Sequence, residues 1–190
     1  INDTGYLAFE NSYFTVFDPS VKRRIESDTI YKPQIYQQIL LYNDSDKVSH
    51  RGNLVSESSP CLLNGRVYTA SGTGHVYGYN MKKKIIDWDF FVGSDIDGSA
   101  IVTKDSCLLI SVEKQYIDGQ GGVLKLNPKR EPKNAVDWYL PTGNVDFAGW
   151  EGGVIGSCSV NDQSNVFLGR KIVLLEITPM AQLYKSNLEI

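Results

Sequence analysis

The chain has 190 residues, 42% of them hydrophobic, and a formal net charge of −3. It is long enough to bury about 70% of its unfolded surface in one core or two small ones, and a charge this near balance supplies no field to gather nucleic acid or an anionic membrane surface. No apolar run approaches the roughly 18 residues needed to span a bilayer, and the opening Ile1-Asn2-Asp3, with neither initiator methionine nor signal peptide, reads as a trimmed or processed start.

In chain order, the first strand-rich stretch is Ser12-Tyr13-Phe14-Thr15-Val16-Phe17-Asp18, which runs into Pro19-Ser20-Val21-Lys22-Arg23-Arg24-Ile25. Residues 26–54 fit no repeat and read as an insertion or irregular connection; the alternative is a short helix through Ile35, Ile39 and Leu40. Gly65-Arg66-Val67-Tyr68-Thr69-Ala70-Ser71 is rich in strand formers, Gly72-Thr73-Gly74 is a turn, and His75-Val76-Tyr77-Gly78-Tyr79 alternates with period two. The turn Asn80-Met81-Lys82-Lys83-Lys84 leads to Ile85-Ile86-Asp87-Trp88-Asp89-Phe90. Further on, Gly121-Gly122-Val123-Leu124-Lys125-Leu126-Asn127 repeats Gly74 to Asn80, 47 residues later, with Val two residues after Gly and an apolar residue before Asn. Trp88 and Trp138 follow at equivalent places, each with Gly five residues on (Gly93, Gly143). The opening stretch is a weaker copy with Ile25 in the tryptophan position. The run from Asn165 to Ile177 reads as further strand, with too little of the pattern for a full copy.

Each copy starts with a serine-rich short strand: Ser59-Pro60-Cys61-Leu62-Leu63, Ser99-Ala100-Ile101-Val102-Thr103 and Ser157-Cys158-Ser159-Val160. Four short strands in about 40 to 50 residues, with no amphipathic helix between them, is the pattern of a propeller blade. The fold class is therefore all-β: a β-propeller of four-stranded antiparallel blades, with about four in this chain, forming one domain over 1–190. Trp88 and Trp138 are the blade-packing residues, since aromatic burial holds neighbouring blades together.

Gly65-Arg66-Val67-Tyr68, Gly74 to Asn80 and Ile86-Asp87-Trp88-Asp89-Phe90 resemble the repeat of the pyrroloquinoline-quinone-type, or quinoprotein-like, propellers, whose blades end in an apolar-x-Asp turn followed by a tryptophan strand. The non-enzymatic propeller of the outer-membrane assembly lipoprotein shares that repeat. The resemblance covers residues 56–161, and it departs from the usual Thr-Gly-Lys turn at Lys82-Lys83-Lys84 and Lys129-Arg130-Glu131-Pro132-Lys133. It implies a ring of seven or eight blades, of which this chain has room for about four, and an extracytoplasmic location, periplasmic or secreted. An open arc of blades also implies pairing with further blades or homo-oligomerisation through its edges.

In such a ring the loops entering the innermost strands surround one mouth of the channel. Glu57 and Asp97 each precede a serine by two, and Trp150-Glu151 precedes Ser157 across glycines. Glu57, Asp97, Glu151 and Trp150 are therefore the candidate ligand-binding residues, an acidic rim suited to a cation, an amine or sugar hydroxyls. Ser94-Asp95-Ile96-Asp97-Gly98 starts like a calcium loop, but it lacks a third ligand before the glycine and has Ser106 where a glutamate belongs. The extension Glu113-Lys114-Gln115-Tyr116-Ile117-Asp118-Gly119 is peculiar to one copy and reads as a solvated hairpin or a pocket wall.

The basic clusters Lys22-Arg23-Arg24, Lys82-Lys83-Lys84 and Lys129-Arg130 fall at the solvated turn of each copy, so nucleic acid is not the expected partner. His50 and His75 accompany no recognisable Ser or Cys nucleophile. Cys61, Cys107 and Cys158 have no metal-ligand spacing, read as buried thiols, and lack the adjacent cysteine pair that the resemblance associates with quinoprotein enzymes. The expectation is a non-enzymatic binding or scaffolding module for a protein, peptide or carbohydrate, with no catalytic residues, metal or cofactor. A portion of a quinoprotein dehydrogenase with calcium and pyrroloquinoline quinone, or a calcium-dependent sensory propeller, is the alternative.

Overall fold

The computed structural model describes residues 3–25, 27–142, 152–170, 173–177 and 183–187. Strands β1 (Gly5–Ala8), β2 (Tyr13–Asp18) and β5 (Gln34–Leu40) form a three-stranded sheet, and β3 (Lys22–Ile25) with β4 (Asp28–Tyr31) prolongs the β2–β5 hairpin outward. After a short helix α1 (Asp44–Ser49), three four-stranded antiparallel sheets follow in strict succession. These are β6 (Cys61–Leu63), β7 (Arg66–Ala70), β8 (His75–Asn80) and β9 (Ile85–Phe91); β10 (Ile101–Val102), β11 (Leu108–Val112), β12 (Gly122–Leu126) and β13 (Val136–Pro141); then β14 (Ser159–Val160), β15 (Val166–Arg170), β16 (Val173–Ile177) and β17 (Leu183–Asn187).

Period-two alternation divides each strand between two neighbours. On β7, Val67 joins a cluster with Phe14, Tyr77 and Tyr79 between the first and second sheets, while Tyr68 and Ala70 face the third. On β11, Leu108, Ile110 and Val112 face the second sheet, and Leu109 turns to a cluster with Val166 and Leu168 of the fourth. Every core is thus an interface between consecutive sheets, which packs them face to face in chain order. The first strands β6 and β10 lie against one another.

The repeat has a structural cause at each strand end. Asn80, Asn127 and Asn161 turn their side-chain oxygens onto backbone N–H groups two or more residues on, and Asp18 does the same to Ser20. Such Asx turns reverse the chain sharply. In the first three sheets the ladder to the outermost strand carries a bulge at one place: Val16/Phe17, Gly78/Tyr79 and Lys125/Leu126. Trp88 pairs with Gly78 and Trp138 with Lys125 immediately before it. Gly78 has no room for more: a Cβ there would lie 2.8 Å from the Tyr68 ring and 3.0 Å from Trp88 Cβ.

Four sequence readings need correction. No helix passes through Ile35, Ile39 and Leu40, because these residues alternate along β5 opposite β2. Ile25 is not the tryptophan equivalent: it sits in the added hairpin, and the register opposite Val16 belongs to Gln37. Lys22-Arg23-Arg24 accordingly lie on β3 rather than at the repeat's turn. The C-terminal run, read as too weak for a full copy, completes a four-stranded sheet. The stretch 26–54 is divided: 34–40 is the outer strand of the first sheet, and 41–54 carries α1 and the connection to β6.

Candidate functional site

Antiparallel strands alternate their connections between two ends of each sheet. The loops entering β6, β10 and β14 therefore share one end with the β7–β8 and β11–β12 turns. At that end Ser59 N–H donates to the Ser99 hydroxyl and Ser99 N–H to the Ser157 hydroxyl, each at 2.8 Å. The three serine-rich starts are thereby joined from sheet to sheet in matching positions, and Glu57 and Asp97, each two residues before such a serine, are brought into one place.

Glu57 is exposed and Asp97 half-buried, and the two meet within hydrogen-bonding reach. Asp97's negative charge, followed by partial burial, holds the Glu57 carboxyl above its usual range. Two further carboxylates join them that the sequence reading did not select as binding residues. Glu113, 4% exposed, shares a hydrogen bond with Asp97; burial first, then Asp97, Asp95 and Glu57, push it up to about 8. Asp95, 5% exposed, is raised to about 6, first by burial and then by the charge of Asp97. The cluster thus holds the Glu113 carboxyl toward its protonated form. Glu151 and Trp150 lie outside the described residues.

The surrounding shell ties three connections together. Asn53 donates to Asp95 Oδ2 at 3.3 Å and to the Tyr116 hydroxyl at 3.2 Å, and the His50 ring meets Tyr116 edge-on at 4.6 Å. Ser94 donates to the Glu113 carbonyl, and Glu113 N–H to the Asp95 carbonyl. Asp95 Oδ1 and His50 Nε2 are buried with no hydrogen-bond partner among the described residues. The 113–119 extension forms a wall: Ile117 and Gly119 join Val92, Val112, Leu124 and Tyr139 around an apolar recess of about 280 Å³. The available clues in the sequence were the paired acids Asp95 and Asp97 and the extension beginning at Glu113.

Hard carboxylate oxygens suit calcium or a lanthanide, but the placement does not: among the described residues, no three Asp, Glu, His or Cys side chains are set to hold one ion. The cysteines are free, and they sit on β6 and just before β11 and β14, so no two are adjacent. Burial pushes Cys61 and Cys107 up to about 11, which leaves them thiols rather than nucleophiles or ligands.

No protein-family model and no curated protein sequence matches the chain. Solved structures do. BamB from Moraxella catarrhalis superposes with a TM-score of 0.64 at 11% identity, over 98% of this chain and 47% of that one. A europium-containing methanol dehydrogenase superposes with a TM-score of 0.66 at 13% identity, over 95% of this chain and 39% of that one. This chain therefore spans less than half the length of either.

Proposed function

From the premise that this chain has the fold of a partial quinoprotein-like β-propeller, we propose that it is a non-enzymatic binding or scaffolding module. It takes a protein, peptide or carbohydrate ligand on the end of the sheets that carries Glu57, Asp95, Asp97 and Glu113. The observation that supports this is the convergence of four carboxyl groups from three separate connections on a serine-bridged scaffold. The acidic side chains of Glu57 and Asp97 suit an ammonium or guanidinium group or hydroxyl donors, and Glu113, held toward its protonated form, offers a donor beside them. The same charges repel phosphate, which argues against nucleic acid. Glu151 and Trp150 are retained as proposed ligand-binding residues, and the apolar recess takes the uncharged part of the ligand.

The neighbours' fold supports an extracytoplasmic setting and a protein partner, and no helix among the described residues is long and apolar enough to cross a membrane. The test screens a lysine-containing peptide panel and a neutral glycan array against the protein and its Glu57→Gln/Asp97→Asn variant. Hits that lose at least tenfold in affinity in the variant, with the unfolding midpoint nearly unchanged, support the assignment; hits indifferent to the variant overturn it.

The likeness to a methanol dehydrogenase favours one second reading, a portion of a quinoprotein dehydrogenase. It is tested by adding calcium and pyrroloquinoline quinone and following quinone absorbance and dye reduction with alcohols. Bound quinone with turnover would replace the binding-module reading.

A further inference from the structure

The interface between the first and second sheets lacks a ring that the next interface has. In the second sheet, Trp88 stands opposite Gly78, meets Tyr68 edge-on at 5.7 Å, and donates its Nε1 proton to the Arg130 carbonyl at 3.0 Å, in the β12–β13 turn of the third sheet. The first sheet keeps the tyrosine and the cross-sheet hydrogen bond of this arrangement, with Val16 in place of the glycine and no indole. Tyr6 pairs with Val16 as Tyr68 does with Gly78. Gln37 occupies the tryptophan register opposite Val16, and its Nε2 donates to the Lys84 carbonyl at 3.2 Å, in the β8–β9 turn of the second sheet.

Glutamine thus reproduces the indole's hydrogen bond without its volume, and the space remains. A cleft of about 680 Å³ opens there, lined by Tyr6, Val16, Gln37, Tyr79, Met81 and Lys84 among others. Its polar groups are arranged in advance, the Tyr79 hydroxyl donating to Gln37 Oε1 at 2.8 Å. Aromatic edges, a thioether and a branched aliphatic side chain are the surroundings a planar ring packs against, and the volume lies within the range of ligand sites. Exposed Lys84, with Lys82 and Lys83 in the same turn, adds positive charge at the edge.

We propose that this cleft docks a tryptophan side chain of a partner polypeptide, with an acidic residue beside it, the ring standing where the first sheet's own indole would be. The cleft is at the β8–β9 end of the sheets, opposite to the acidic cluster, so the proposal does not depend on the function assigned to that cluster.

The test uses Ac-Glu-Trp-Glu-NH2, Ac-Glu-Ala-Glu-NH2, Ac-Lys-Trp-Lys-NH2 and free indole, with affinities from calorimetry and the Met81 methyl resonance as local reporter. The acidic tryptophan peptide should bind and shift Met81. The alanine peptide should not bind, and the lysine-flanked peptide should bind at least tenfold more weakly. Gln37→Trp supplies the ring from within, and should abolish binding. Lys84→Glu, on the exposed turn, keeps the test available if that variant fails to fold, and should invert the preference between the charged peptides. Glu57→Gln/Asp97→Asn should leave this binding unchanged. Equal binding of the alanine peptide, an indifferent Met81, or unaltered affinity in Gln37→Trp would overturn the site. Free indole binding as tightly as the peptide would overturn the partner polypeptide as its occupant.

Discussion

The first interface, between sheets one and two, and the second, between sheets two and three, are made from the same repeat and are held by different means. The second is mostly apolar: Trp88, Tyr68, Leu108, Ile110 and Leu126 fill it, and Ala135 is fully buried against them. The first depends far more on buried polar contacts. Tyr77 and Thr73 both donate to the Leu41 carbonyl, and His75 lies between Asp89 at 2.7 Å and Asp46 of α1 at 3.4 Å, stacked on Tyr77. A ring filling a slot contributes area and shape, whereas a polar network contributes geometry and leaves volume uncommitted. The cleft is found where the second strategy is used.

The sharpest test of this contrast removes the ring. Trp88→Ala should cost about 3–5 kcal/mol in urea unfolding, and Gln37→Ala about 1 kcal/mol; equal losses would mean the interfaces are not held differently. Next is Gly78→Val, which places in the second sheet the residue that the first has at Val16. With Tyr68 and Trp88 already against Gly78, it should cost about 1–3 kcal/mol.

At the first interface, Asp46→Ala removes both the His75 contact and the acceptor for Asn43 N–H at 2.7 Å that caps α1. It should cost about 1–2 kcal/mol, and amides around Asn43 should exchange faster.

Stability should also slope with pH. Glu113 and Asp95 are raised in the fold to about 8 and about 6, from ordinary values of 4.5 and 3.8. Their stabilising share is complete below the unfolded values and is lost as pH rises through the folded ones. His75 is also raised, burial lowering it but Asp89 and Asp46 together outweighing that, so its share is present below 6.5 and fades above its folded value. All three make the fold weaker as pH rises from 5 to 8. Thermal unfolding across that range should show the decline, and Glu113→Gln should flatten its upper part while leaving the His75 portion in place.

Much of the architecture was legible in the chain. The glycine, valine and asparagine spacing of 74–80 and 121–127 reflects a strand ending in an Asx turn, and the two tryptophans report one register. The first copy was misread because residues 19–33 replace the short turn at 81–84. Pairing across such a gap is fixed by the β2–β5 ladder rather than by any local pattern, so the Gln37 register could not be counted from the sequence. The meeting of Glu57 with Asp97 followed from their offset before equivalent serines. Glu113 was hidden because its burial comes from the two connections it packs against, while its own neighbours, Lys114 and Gln115, suggest a solvated loop.

The serine bridges have one more consequence. Since Ser59 gives its amide proton to Ser99 and Ser99 to Ser157, every link points the same way around the assembly, so successive units are joined head to tail and not by mirrored contacts. A unit grafted between two existing ones must bring both an amide and a hydroxyl at that position, or it interrupts the circuit on both sides at once.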